Sequence, residues 1–94
     1  MATFLLFGKY SPQALQELSI QRTDKAKSLV AHFGGEVKAI YAALGPNDLL
    51  FIVDLPGTEE AMKASVALTK LTGIALTTSP AVPVEDFDRM MSEL

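Results

Sequence analysis

Among 94 residues there is one histidine, His32, and no cysteine, so thiolate nucleophiles, disulfides and His-based metal clusters are excluded as the basis of a function. Arg22 is the residue that stands out. In a helical reading of residues 12–33, the apolar positions Leu15, Leu18, Ala26 and Leu29 place it near the middle of the buried stripe, where an unpaired cation is costly. It requires a carboxylate, backbone carbonyls or a ligand. Asp48 is the carboxylate expected to pair with it, with Asp24 and Asp54 as competitors. A structural ion pair or a snorkelling side chain meets the same requirement. The functional alternative is an anion site, in which the guanidinium holds a carboxylate or phosphate through two hydrogen bonds.

Tyr10 and Tyr41 lie near strand ends, where their hydroxyls can reach the mouth of a sheet–helix cleft together with Thr77 and Thr78; half-buried packing explains them equally well. The candidate ligand-binding set is therefore Arg22, Tyr41, Asn47 and Asp48. His32 falls on the edge of the stripe formed by Leu29, Val30 and Phe33, the position of a boundary histidine. Gly34-Gly35 follows a helix and enters a strand, the reverse of the order a dinucleotide fingerprint requires. Glu59-Glu60 and Glu85-Asp86 stand at helix starts, where the dipole and solvent account for them. Met90-Met91 fits helix docking better than a metal site. No catalytic residue, cofactor or metal is implied.

The elements that must position these residues follow from periodicity. "TFLLFGKY", residues 3–10, is rich in strand formers and ends at Ser11-Pro12, a helix cap followed by a proline tolerated in the first turn. The helix that follows runs to Gly34-Gly35, with a possible break near residues 19–23. "EVKAIYAAL" is a second strand, Gly45-Pro46-Asn47-Asp48 a four-residue turn, and "LLFIVDL" a third strand antiparallel to the second. Thr58 is expected to cap a second helix with a stripe of Ala61, Ala64, Leu68 and Leu71, stopped at Gly73. "IALTTSP" forms a fourth strand. After Pro83, the residues Val84, Phe87, Met90, Met91 and Leu94 recur at helical spacing, which predicts a short amphipathic helix that docks its apolar face.

The order βαββαβ implies an α+β, ferredoxin-like sandwich: a four-stranded antiparallel sheet with both crossover helices on one face, plus the extra C-terminal helix. One domain is expected over residues 1–94. "FLLF" and "LLFIV" are apolar at every position, a pattern suited to burial on both faces, and the hydrophobic fraction is 49% with a mean hydropathy of +0.27. The face left bare by the helices therefore predicts a homo-oligomer, a dimer formed sheet against sheet. Net charge is −3 and the basic residues are scattered, so nucleic acid is not an expected partner. No apolar run reaches the ~20 residues of a membrane span. "MATFLLFGKY" carries no basic region before its short apolar segment, and a soluble, cytoplasmic protein is expected.

Arg22, Gly34-Gly35, then Tyr41, Gly45, Asp48, an apolar strand and Pro56 form a pattern that resembles the GYD-domain proteins, small bacterial and archaeal domains of the dimeric α+β barrel group. The likeness spans nearly the whole chain. Of the namesake Gly-x-Tyr-Asp motif, Gly45 and Asp48 match, and Asn47 stands in place of the tyrosine. The resemblance implies a ferredoxin-like fold and dimerisation through the sheet. Members of the wider group range from monooxygenases to ligand-binding modules, so three functions stay open. The first is a non-enzymatic module that binds a small, anionic ligand at the sheet–helix cleft. The second is a cofactor-independent monooxygenase or isomerase whose apolar pocket uses Asn47, Asp48 or His32 to polarise a substrate. The third is a structural or regulatory assembly domain that exchanges its C-terminal helix between partners.

Overall fold

β1 (Ala2–Lys9), α1 (Pro12–Gln16), α2 (Ile20–His32), β2 (Glu36–Ala42), β3 (Leu49–Leu55), α3 (Thr58–Thr72), β4 (Ala75–Ala81) and α4 (Val84–Ser92) succeed one another along the chain. The computed structural model describes every residue, Met1–Leu94. The four strands form one antiparallel sheet in the order β2-β3-β1-β4, with α2 and α3 packed on one face. The ferredoxin-like α+β sandwich expected from the element order is the fold observed.

Local chemistry explains the element ends. The Ser11 hydroxyl accepts the Ala14 N–H at 3.0 Å and the Ser19 hydroxyl accepts the Arg22 N–H at 3.0 Å, so each of the first two helices carries its own N-cap. The helical stretch after Pro12 is thus broken at residues 17–19, just ahead of the region where short polar and β-branched residues gather. Gly34 and Gly73 adopt left-handed backbone with φ of +84° and +73°, and stop α2 and α3. Gly35 answers to a different constraint: a Cβ there would overlap the Asp54 carbonyl oxygen and the Leu55 side chain. Two local expectations are corrected. The N-cap of α3 is Gly57, with Thr58 as the first helical residue and no side-chain cap. The β2–β3 connection is wider than a four-residue turn, because the Ala43 N–H donates to Asp48 O at 2.8 Å while the Asp48 N–H leaves the loop to bond Gly8 O at 2.8 Å.

Register sorts the strand residues into two faces. Phe4, Leu6, Phe51, Val53 and Leu55 point towards the helices and join Val30, Ala61, Ala64, Leu68 and Ile74 in a single buried cluster. Gly8 belongs to this face and is small for a reason: a Cβ would come within 2.8 Å of Ile74 Cγ2 and 2.9 Å of Leu76 Cδ2. On the opposite face Leu5 pairs with Ile52 and Phe7 with Leu50, and all four are half-buried rather than buried. Thr3, Asp54, Thr77, Ser79 and Tyr41 surround this apolar centre in the same register, and the Thr3 hydroxyl donates to Asp54 Oδ1 at 2.7 Å.

α4 is not docked on its own chain. None of its residues is buried; Phe87 and Met90 are each 47% exposed, and Leu94, beyond its end, is 95% exposed. Pro83 separates α4 from the edge strand β4. The chain measures 48 × 30 × 18 Å, and its radius of gyration of 14.1 Å exceeds the ~12 Å of a compact chain of this length. No helix is long and apolar enough to cross a membrane.

Candidate functional site

The break between α1 and α2 leaves a hollow at one end of the helix-covered face. Its floor comes from the sheet, with Ile40 of β2 and Leu49 and Phe51 of β3; its walls are Tyr10, the Leu18–Ile20 elbow, Thr23 and Ala26 of α2, and Thr72 and Ile74 at the α3–β4 junction. The cavity volume is about 390 Å³, and eight of its twelve lining residues are hydrophobic. Such a volume sits at the small end of the roughly 300–1,000 Å³ range of small-molecule sites.

Arg22 is the one charged residue in this lining. Residues 22, 26 and 30 succeed one another at i, i+4 and i+8 along α2, so the guanidinium extends from the same stripe that buries Ala26 and Val30. Its side chain is only 13% exposed. Nη2 donates at 3.1 Å to the Ala14 carbonyl, which also accepts the Glu17 N–H that closes α1 at 3.2 Å. Arg22 thereby ties the end of α1 to the start of α2. Nη1 has a different environment: it is shielded from solvent and has no hydrogen-bond acceptor. The carboxylate near it, Glu17 Oε2, lies 3.9 Å away, close enough for Coulomb attraction but beyond hydrogen-bond length. Glu17 is 59% exposed, so water screens much of that attraction. A buried guanidinium N–H without an acceptor is an unusual feature of a folded protein.

The Arg22–Asp48 pair suggested by the sequence does not form. The Asp48 carboxylate instead accepts the Tyr10 backbone N–H at 3.0 Å and faces Lys9 Nζ at 3.7 Å. With its backbone N–H on Gly8 O, Asp48 clamps the end of β1 from both sides and fixes where Tyr10 enters the pocket wall. Of the four candidate ligand residues, Arg22 alone lines the cavity. Tyr41 is exposed on the open face of β2, opposite Leu50. Asn47 is exposed in the β2–β3 loop. His32 lies in the last turn of α2, exposed, with its ring edge-on to Phe33 at 5.2 Å, away from Arg22.

The remaining polar groups of the pocket are largely committed. The Thr72 hydroxyl donates to Leu68 O at 2.7 Å and accepts the Ile74 N–H at 3.1 Å. Thr23 Oγ1 donates to Ser19 O at 3.3 Å. The Tyr10 hydroxyl makes no hydrogen bond within the chain, and Nη1 of Arg22 is the buried polar atom without a partner. Glu17 escaped notice in the sequence because five residues separate it from Arg22 and a helix break intervenes, so no helical spacing relates them. Thr23, Thr72 and Ile74 gave no sign of sharing a site, since they come from elements far apart in the chain.

A family model, the GYD domain, matches residues 4–91. The chain belongs to the GYD-domain family. In this GYD domain the stretch Gly45-Pro46-Asn47-Asp48, which the resemblance pairs with the family's motif, ends in the aspartate that clamps β1. No curated protein matches the chain. Among solved structures it is similar to the leucine response regulatory protein (LrpA) of Mycobacterium tuberculosis, with a TM-score of 0.58 and 11% identity. The alignment covers 87% of this chain and 51% of that one, so the GYD domain spans about half the length of the protein it resembles. At that identity the likeness speaks to the fold.

Proposed function

We propose that this GYD domain is a self-associating module that binds a small anionic ligand between its helices and its sheet, with Arg22 as the anion-gripping residue. The observation that carries this reading is Arg22, the one charged residue in the lining of a predominantly apolar cavity, whose buried Nη1 has no acceptor and gains one if the guanidinium turns towards the cavity. A ligand oxyanion would supply the missing bond and offset the cost of holding a cation there. Asp48 and Tyr10 act at one remove, by fixing the wall of the site. Tyr41 and Asn47, which lie away from the cavity, belong to the reading only as groups on the open face and loop that a second chain can approach.

Self-association is supported by the open sheet face, where Leu5, Phe7, Leu50 and Ile52 form an apolar centre with a polar rim, the anatomy of a protein interface. The undocked apolar side of α4 adds a second surface suited to a partner chain. No sheet-face contact is needed to form the Arg22 cavity, so binding and assembly are separable properties. The test is thermal: millimolar anions should raise the unfolding temperature of the wild-type protein and leave that of Arg22→Met unchanged. Equal shifts for the two proteins would refute the Arg22 site. Sedimentation showing a monomer at high micromolar concentration would refute the assembly.

A further inference from the structure

We infer that the ligand is a small monocarboxylate with one apolar tail, and that Glu17 is the internal counter-ion it displaces from Arg22. This inference rests on the anion-site reading above and narrows it. A single guanidinium serves the cavity, and its Nη2 is already engaged by Ala14 O. The nearby Lys9 faces Asp48. A phosphate monoester brings nearly two negative charges against the one positive charge in the lining. A carboxylate matches one partly engaged guanidinium.

The walls define the rest of the molecule. Ile40, Leu49, Phe51, Ile74, Leu18 and Ile20 surround the cavity with hydrocarbon, and Ile20 is 79% exposed, so an apolar tail has cover from the floor to the rim. At about 30 Å³ per heavy atom, the share of a liquid water, 390 Å³ holds on the order of ten heavy atoms. That is the size of hexanoate to octanoate or of a small aryl acid.

Glu17 stands outside the cavity lining as the one carboxylate within 4 Å of the guanidinium. Its carboxylate stands 3.9 Å from Nη1 on an exposed, flexible side chain, so it balances the guanidinium's charge without satisfying the donor. A carboxylate in the cavity draws the guanidinium round towards it, forms the short hydrogen bond that Glu17 does not make, and leaves Glu17 to solvent. The two carboxylates compete for one cation, and removing the charge of Glu17 therefore favours the ligand.

The experiment is calorimetric titration of the full chain with butyrate, hexanoate, octanoate, octanol, octylamine, hexyl phosphate and inorganic phosphate, with backbone amide chemical shifts to locate binding. Affinity should rise about fourfold per added methylene up to octanoate, with octanol and octylamine at least tenfold weaker than octanoate. Arg22→Met should lose at least tenfold in octanoate affinity, and Glu17→Gln should gain about two- to fivefold. The shifted amides should be those around Phe51, Ile74 and Thr23. Hexyl phosphate binding more tightly than octanoate, or octanol matching octanoate, would overturn the monocarboxylate assignment; the first result would leave the anion site standing. Failure of every anion to bind would overturn the site itself. Glu17→Gln without a gain would remove Glu17 from the account, and shifts confined to Leu5, Phe7 and Ile52 would place binding on the open sheet face instead.

Discussion

Leu5 and Leu6 are chemically identical neighbours on β1, but Leu6 is fully buried beneath the helices whereas Leu5 points to the opposite face and is half-buried. The same alternation holds along β3, where Leu49, Phe51, Val53 and Leu55 are buried and Leu50 and Ile52 are half-buried. The strand period of two assigns adjacent apolar residues to different neighbours. On the covered face, α2 and α3 bury the sheet but leave a cavity beside Arg22 at the elbow between α1 and α2 and another between α3 and β4, lined by Phe4, Ala61, Ser65 and Thr78. On the open face, register brings four apolar side chains together without a covering element. The covered face has the properties of a core with a site at its end, and the open face those of an interface.

Several substitutions sharpen or break this contrast. Leu6→Ala should lower unfolding free energy by about 2–5 kcal/mol in urea titrations, independently of protein concentration, because it opens a cavity in the core. Leu5→Ala should cost clearly less in dilute protein, with a loss relative to wild type that grows with protein concentration; equal, concentration-independent losses for the pair would break the distinction between the faces. Ile52→Asp should weaken self-association at least about 30-fold by sedimentation, the scale of a lost hot spot of roughly 2 kcal/mol, while leaving the circular dichroism spectrum folded.

Smaller effects probe how the covered face is built. Gly35→Ala should cost about 1–3 kcal/mol, since the neighbouring Asp54 carbonyl is backbone and yields less readily than a flexible side chain. Asp48→Ala should cost about 1–3 kcal/mol by stranding the Tyr10 N–H, and Asp48→Asn, which keeps an acceptor there, should cost less. Removal of residues 83–94 should leave the unfolding free energy of dilute protein within about 0.5 kcal/mol of the intact chain, because α4 buries nothing. A larger loss would mean that α4 docks on its own body in solution.

The order of elements was legible because it depends on local signals: a cap at Ser11, stops at Gly34 and Gly73, and an apolar period that switches between two and 3.6; of the division into α1 and α2 only a break near residues 19–23 was legible, not the Ser19 cap. The βαββαβ order then leaves few topologies. Arg22 was legible as an anomaly, since a cation in an apolar stripe is conspicuous in any helical reading. Its partners were not. Asp48 looked like a counter-ion because it is an acid at a strand start, but its carboxylate is used by a backbone N–H of β1 that no sequence spacing connects to it.

What the sequence by itself determined is what short-range physics controls: which residues are helical or extended, which faces are apolar, and that Arg22 carries an electrostatic problem. Only the tertiary structure decided how that problem is met. Ala14 O takes one guanidinium nitrogen, Glu17 stays 3.9 Å from the other, and residues from β2, β3, α2 and the α3–β4 junction converge on one cavity. The physical reason is range: capping and periodicity act over three or four residues, whereas a pocket is defined by side chains that meet across a sheet.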